Sequence, residues 1–348
     1  MVKVSAPGNV FFLGEHAVVY GRPALIGAPD RRTTVVLTPR IDGRITVVSP
    51  SYGDFENTVA GLLASQFPDA RSYNPRGAEI DALSGDELMN PARDIIGEFG
   101  RRYGLGNGFD AEVSSTVARC GGMSSSTAFS VALWGALSAQ FRGDLYKDDI
   151  WPVAYQINVK IHGGAASGAE ANSSIHGGFH KARIETVDGK PVARAEKLDL
   201  QPFAVIVGET GVRTQTKKTV PYVREGWTNA KDAYEAVFTE IGKLVEEGVN
   251  ALNEGEDLYL GGLMNEDHEL LRGELGVSHP LLNRLVDTAR SQGAYGAKMC
   301  GGGKGGLMVA LVDPKNEEVA ASVIKALQDV GGTAYKTILG GEGLRIEQ

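Results

Sequence analysis

The sequence predicts a mixed α+β fold in two parts, and three observations carry that prediction. Short β-rich runs punctuated by Gly and Pro occupy the start of the chain, apolar residues at helical spacing dominate from about residue 228 to 292, and glycines cluster where strands end. At 348 residues the chain has material for roughly two domains of about 150 residues each. Hydrophobic residues at 42% and charged residues at 22% are ordinary for a globular protein and exclude a disordered or collagen-like chain. The net charge of −8 argues against an extended nucleic-acid surface. No apolar run reaches the roughly 18 residues that a membrane span needs. The opening MVKVSAPGNVFFLGEH breaks its apolar stretch at Gly14 and offers no small-residue cleavage site, so it does not read as a signal peptide. Two cysteines, Cys120 and Cys300, cannot build a disulfide framework, and a reducing cytoplasm is the expected setting.

The elements follow in order. Residues 2–6 (VKVSA) read as a strand ending at Pro7-Gly8, with further strands at 9–13, 24–28 and 33–37. Asn90-Pro91 reads as a cap and first helical position, opening a helix that runs to Tyr103 and stops at Gly104. Residues 109–116 alternate as a strand. RCGGMSSST (119–127) then leads into a helix marked by Phe129, Ala132, Leu133, Ala136 and Leu137. A second helical pattern covers 150–161 and runs into the Gly/Ala/Ser-rich loop 162–178, followed by a hairpin turning at Asp188-Gly189. Residues 203–208 (FAVIVG) read as a buried strand. The stretch 228–292 reads as three helices, separated near Gly255 and at Ser278-His279-Pro280. AKMCGGGKGGLMVALVD is a strand, a glycine loop and a strand, and the chain ends with a helix at 317–328 and two short strands. A boundary near residue 200 separates mixed strands and helices from helices with a small sheet.

Several segments suit an anion or a catalytic group. In RCGGMSSST the glycines let backbone N–H groups turn toward a ligand, and the helix that follows presents its free amides and positive dipole end. Ser124, Ser125 and Ser126 add hydroxyls that can donate hydrogen bonds or ligate a metal. The plain alternative is a capped helix after a flexible loop. Neither GxxxxGK[ST] nor GxGxxG occurs at this loop, which disfavours a P-loop kinase and a Rossmann dehydrogenase. GGGKGG (301–306) carries more glycine than a hairpin needs, which points to unusual dihedrals or close backbone approach. Glu170 in the 162–178 loop, and Glu15-His16 in GEHAVVYG, read equally as a surface charge, a cap and a satisfied histidine.

Taken together, these segments resemble the GHMP kinase superfamily, most closely its archaeal-type mevalonate kinase branch. VSAPGNVFFLGEHAVVYGRPAL looks like the N-terminal motif, RCGGMSSSTA stands where the family has GLGSSA, and AKMCGGGKGGLMVAL resembles its KxTGAGGGG motif. The resemblance implies an N-terminal ribosomal-protein-S5-like α/β domain over 1–200 and a C-terminal ferredoxin-like domain with extra helices over 201–348. It implies ATP between them, with phosphates on Gly121, Gly122, Met123, Ser124, Ser125 and Ser126, Mg2+, and transfer of the γ-phosphoryl group to a small alcohol. It implies a substrate site at Glu15, His16, Gly302 and Gly303, and homodimers by analogy. Five positions depart from the family pattern: Asn9 stands where Lys is usual, Asn158 where the Mg2+-ligating Glu falls, Glu170 where the catalytic Asp falls, and Ser124 and Lys304 replace glycines.

Two accounts fit those departures. In the favoured one the chain is a kinase in which Glu170 serves the acceptor alcohol and Lys304 supplies the cation missing at Asn9. The metal is then held by Ser126 and the nucleotide, with only a neutral oxygen from Asn158. In the other, the chain binds nucleotide without turnover. The acceptor implied is the 5-hydroxyl of mevalonate or mevalonate 3-phosphate, in isoprenoid biosynthesis. Arg119, Lys160, Lys217, Lys218 and Lys304 are candidates for meeting extra anionic charge. A sugar or homoserine is the alternative acceptor.

Overall fold

The computed structural model describes residues 1–48, 55–58, 91–118, 122–161, 167–187, 190–214 and 216–348, with the backbone alone at 55–58, 160–161, 186–187, 190–191 and 217. Asn90, Arg119, Cys120, Gly121, residues 162–166, the Asp188-Gly189 turn and the side chains of Lys160 and Lys217 lie outside the described residues.

In chain order the strands are β1 (Val2–Pro7), β2 (Val10–Leu13), β3 (Ala24–Gly27), β4 (Arg32–Arg40), β5 (Arg44–Val48), β6 (Phe55–Thr58), β7 (Gly108–Ser115), β8 (Phe179–Val187), β9 (Lys190–Leu198), β10 (Phe203–Glu209), β11 (Gly296–Cys300), β12 (Leu307–Leu311), β13 (Thr333–Leu339) and β14 (Arg345–Ile346). The described α-helices are α1 (Pro91–Tyr103), α2 (Ser125–Arg142), α3 (Ile150–Ile161), α4 (Ala169–His176), α5 (Thr216–Asn229), α6 (Lys231–Glu254), α7 (Asp257–Glu269), α8 (Pro280–Ser291) and α9 (Glu317–Asp329). None of them is long and apolar enough to cross a membrane.

The described strands form three sheets. The first has the order β14-β1-β4-β7-β5-β6, the second β11-β12-β10-β13, and the third β2-β3-β8-β9. Residue 200 lies in the connection between β9 and β10. The last strand nevertheless returns to the first sheet, where Val4 pairs with Ile346.

Alternation explains how one strand serves two cores. On β10, Val205 and Val207 pack with the β2-β3-β8 sheet, while Ile206 faces α6, α8 and α9 through Phe238, Leu285 and Val323. Strand β12 divides the same way, Leu307 and Val309 to one core and Met308 and Ala310 to the other. The third core lies between the first sheet and α1 to α4, and includes Val35, Phe99, Phe129 and Trp134.

Helix α2 is apolar around most of its circumference, as a helix enclosed by sheet and neighbouring helices must be. At Gly135 a Cβ would stand 2.9 Å from Leu344 and 3.1 Å from Val4, so glycine lets α2 come down onto β1 and the returning C-terminus. That contact aims the N-terminus of α2 at the loop following β1.

Helices α1 and α3 occupy the predicted ranges, and β8 and β9 pair up to Val187–Lys190 across the predicted turn position. The helical region beginning at 228 is a correction: α5 already starts at Thr216 and contains Pro221. An interior proline ordinarily ends or kinks a helix, and its missing N–H hides the helix from a periodicity reading.

Trp134 is fully buried, touches Phe99 edge-on at 5.2 Å between ring centres, and its indole Nε1 has no hydrogen-bond partner among the described residues. Trp134→Ala is expected to cost about 3–5 kcal/mol in denaturant unfolding. Trp134→Phe should cost clearly less, because it abandons no hydrogen bond. Equal losses for the two variants would contradict this account of the core.

Candidate active site

The phosphate-loop candidate is built from chain segments far apart in sequence. Gly122 has φ +88°, and a Cβ there would lie 2.8 Å from the Cys300 carbonyl, so the loop before α2 rests directly on the start of the GGGKGG loop. The backbone N–H of Asn9 donates to the Met123 carbonyl at 3.0 Å, bringing the loop after β1 to the same place.

Ser124 starts α2 in the left-handed conformation, φ 50° and ψ 47°, and its side chain does not cap the helix. Its carbonyl accepts from the N–H groups of Thr127 and Ala128 at 3.0 and 3.1 Å. The amides of Ser125 and Ser126 precede the first intrahelical bond, as the opening amides of any α-helix do. Together with the helix dipole they make this turn suited to an anion. Ser124, Ser125 and Ser126 are partly exposed, whereas Met123 is buried.

The hydroxyl of Ser124 donates instead to Asn9 Oδ1 at 2.9 Å, and Asn9 Nδ2 donates to the Glu170 carbonyl at 3.3 Å. Asn9 is wholly buried. Glu170, on the first turn of α4, is 9% exposed, and its Oε2 lies 3.5 Å from Ser167 Oγ. Three predicted residues, Asn9, Ser124 and Glu170, thus form one connected chain of contacts. Asn158 is also fully buried, but its amide is spent on α2: Nδ2 donates to Thr127 Oγ1 at 2.8 Å.

Lys304 takes a different direction from the one expected. Its backbone is left-handed, φ 56°, with its N–H bonded to the Val277 carbonyl at 2.7 Å. Its ammonium donates to the Gly276 carbonyl and stands 5.4 Å from the centre of the Tyr222 ring. The cation expected to offset Asn9 is therefore engaged with the turn before α8 and with α5, not with Asn9 or Ser124. Lys218 is exposed on the first turn of α5.

A second group of residues adjoins the loop. Lys298, fully buried on β11, pairs with Glu15 and lies 3.4 Å from Asp267, while its Nζ also donates to the Met299 carbonyl at 2.8 Å. Gly14 N–H reaches Asp267 Oδ2 at 3.4 Å, and Met299 N–H donates to His268 Nδ1 at 3.2 Å. The His16 ring lies against the Gly302 backbone, and the Gly303 carbonyl accepts from Thr214 at 2.9 Å.

The electrostatics follow from burial. Desolvation pushes Glu15 up to about 7 although Lys298 pulls the other way. Desolvation also raises Asp267. For Lys298 burial opposes the charge, but Glu15 and Asp267 outweigh it and its pKa rises. Burial lowers His16 to about 4 and His268 to about 3, so both imidazoles are neutral near pH 7. Among the described residues, Glu15 Oε2, Asp267 Oδ1 and His16 Nε2 have no hydrogen-bond partner.

Sequence reading singled out Glu15 and His16 but not Lys298, Asp267 or His268. The available signal was the lysine within the apolar run GAKMC: a lysine on a strand buried on both faces demands a carboxylate partner. Which carboxylate, only tertiary structure decides.

A carboxylate whose folded pKa is raised contributes stability that is complete below its ordinary value near 4.5 and is lost as pH climbs through about 7. The melting temperature of the wild type relative to Glu15→Gln should therefore fall by a few degrees between pH 5 and pH 8. A difference that does not change with pH would remove Glu15 as a titrating group in this range.

The profile for the GHMP kinases N terminal domain matches residues 90–178, and that for GHMP kinases C terminal matches 249–332. The mevalonate kinase of Thermococcus onnurineus (strain NA1) is 33% identical, the match covering 100% of this chain and 98% of the relative. The mevalonate kinase of Pyrococcus abyssi (strain GE5 / Orsay) is likewise 33% identical, with the same coverage. Among solved structures, L. major mevalonate kinase in complex with R-mevalonate superposes with a TM-score of 0.76 at 22% identity, covering 99% of this chain and 97% of that one. Full-length identity with such relatives, both halves of the family profile and the shared fold lead to one conclusion: the chain belongs to the GHMP kinase family and is a phosphotransferase acting on a small molecule.

Proposed function

We propose that this enzyme transfers the γ-phosphoryl group of ATP to the 5-hydroxyl of a mevalonate-type acid, mevalonate or its 3-phosphate, in isoprenoid biosynthesis. The observation that carries the reading is the contact chain from Ser124 through Asn9 to Glu170, which keeps a carboxylate-bearing helix turn beside an amide-rich helix start. The substrate class rests on the relatives, which are named mevalonate kinases. Residues 1–200 are read as the nucleotide-binding half and 201–348 as its C-terminal partner.

In this reading the nucleotide's phosphates lie on the amides of Gly122 to Ser126, where the helix dipole favours negative charge. Glu170 orients the acceptor hydroxyl and takes its proton as the oxygen attacks phosphorus. Glu15 and His16 bound the acceptor side, with Lys298 and Asp267 holding Glu15 in place. Phosphoryl transfer of this kind depends mostly on positioning and on neutralising charge.

Magnesium fits the residues present if the nucleotide supplies most of its ligands. Mg2+ commonly keeps several waters and takes one or two protein oxygens beside substrate phosphates. No group of three His, Cys, Asp or Glu side chains suited to a metal occurs among the described residues. Ser126 is the donor this chain would offer, since Asn158 is committed to Thr127. When bound, the ion would neutralise charge on the transferring phosphoryl group.

The test is ADP release with ATP and Mg2+ against mevalonate, mevalonate 3-phosphate and mevalonate 5-phosphate in parallel. Turnover is expected with one of the first two, and Glu170→Gln should lower its kcat about 100-fold or more. Turnover of a sugar or homoserine alone would overturn the substrate assignment. Calorimetric ATP binding without transfer to any acceptor would overturn the kinase reading, and an unimpaired Glu170→Gln would remove Glu170 from the chemistry.

A further inference from the structure

At both sequence positions where an asparagine replaces an expected charged side chain, its amide bonds a hydroxyl on the first turn of α2 or its cap. Asn9 Oδ1 accepts from Ser124 Oγ at 2.9 Å, and Asn158 Nδ2 donates to Thr127 Oγ1 at 2.8 Å. Both asparagines are fully buried; the Asn158–Thr127 bond is buried on both sides, whereas the Asn9–Ser124 bond has a partly exposed serine on its outer side. They approach the helix start from two sides, Asn9 from the loop after β1 and Asn158 from α3. Ser124 is held at φ 50°, where a residue with a Cβ sits uncomfortably unless its surroundings impose it. Asn9 supplies that imposition in three ways. Its N–H binds Met123, its Oδ1 binds Ser124, and its Nδ2 ties both to Glu170.

We propose that Asn9 and Ser124 are a coupled positioning pair: their side-chain bond sets the conformation of the Gly122–Ser126 turn and links it to Glu170, so that nucleotide binding relies on pre-oriented amides and not on a cation at position 9. The inference rests on the nucleotide-binding reading above and assigns neither residue a contact with the reacting atoms. It accounts for Lys304 facing Gly276 and Tyr222, since no lost charge at Asn9 needs replacing. The Asn158–Thr127 bond braces the next turn in the same manner.

The roles of the two Asn9 amide atoms separate the pair from simple packing. Asp at position 9 keeps the oxygen that accepts from Ser124 but loses the donor to Glu170. Gly at position 124 relieves the left-handed strain but deletes the hydroxyl. If fit and strain alone mattered, Ser124→Gly would raise stability and leave ATP affinity intact.

The experiment is a double-mutant cycle of Asn9→Ala and Ser124→Ala in the full chain. ATP with Mg2+ is titrated calorimetrically, and steady-state KM for ATP and kcat are measured with the acceptor identified above. Each single variant is expected to weaken ATP binding five- to tenfold, and the double variant no more than the weaker single. KM for ATP should rise more than kcat falls in Ser124→Ala, whereas Asn9→Ala should raise KM for ATP and also lower kcat, because it also releases Glu170. Ser124→Gly should hold or raise the melting temperature while still weakening ATP binding, which keeps the test open if an alanine variant folds poorly. Multiplicative losses in the double variant, or unchanged ATP affinity in Ser124→Gly, would overturn the coupling while leaving the kinase reading intact. Wild-type ATP binding without turnover would overturn the kinase reading alone, since the cycle is then read in binding. No ATP binding by the wild type would overturn both.

Discussion

A lysine with no exposed surface must be answered by negative charge, and the placing of Lys298 between Glu15 and Asp267 is the constraint on which the site depends. Removing one partner of a buried ion pair leaves an uncompensated charge, at a cost on the order of 3–5 kcal/mol. That penalty fastens three segments together: the Gly14–His16 turn, the C-terminal end of α7 and strand β11. Two residues beyond Lys298 on the same strand, Cys300 meets Gly122. The ion cluster therefore also fixes how closely the glycine loop approaches the start of α2, and two carboxylates with one ammonium leave it poised to hold a proton near neutral pH.

Around this anchor the backbone is held in conformations it would not choose alone. Ser124 and Lys304 both adopt the left-handed region, in loops otherwise rich in glycine. Such residues cost on the order of 1–3 kcal/mol each and persist where neighbours over-determine them. For Ser124 the neighbour is Asn9. For Lys304 it is the Val277 carbonyl at the backbone and Gly276 with Tyr222 at the side chain. Neutral amide–hydroxyl bonds thus occupy places where the family pattern has charge or glycine, beside the opening backbone amides of α2.

Much of the fold was legible because it is written in local periodicity. Pro91 and Gly104 bracket α1, and the apolar spacing of Phe129, Ala132, Leu133, Ala136 and Leu137 marks α2. Helix α5 escaped because Pro221 breaks the pattern that reveals the others. The return of β14 to β1 was equally invisible, since a two-residue strand has no period and its partner lies at the other end of the chain. Within the site, the glycine loops stood out by composition and Glu15-His16 through the family resemblance, whereas nothing local sets Asp267 apart from the other acids of its helix. The direction of Lys304 could not be read at all, because a long side chain in a glycine loop follows whatever acceptor the fold brings near.

By itself the sequence determined the secondary-structure plan, the glycine-rich loops and a resemblance that spans almost the whole chain, because each depends on residues close together or on motifs quoted in order. Tertiary structure alone decided that Asn9 bonds Ser124, that Asn158 bonds Thr127, and that Lys298 sits between Glu15 and Asp267. Those contacts join residues 31 to 283 positions apart. Their pairing is set by the requirement that every buried charge and most buried polar groups find a partner, a condition that only the packed chain can satisfy.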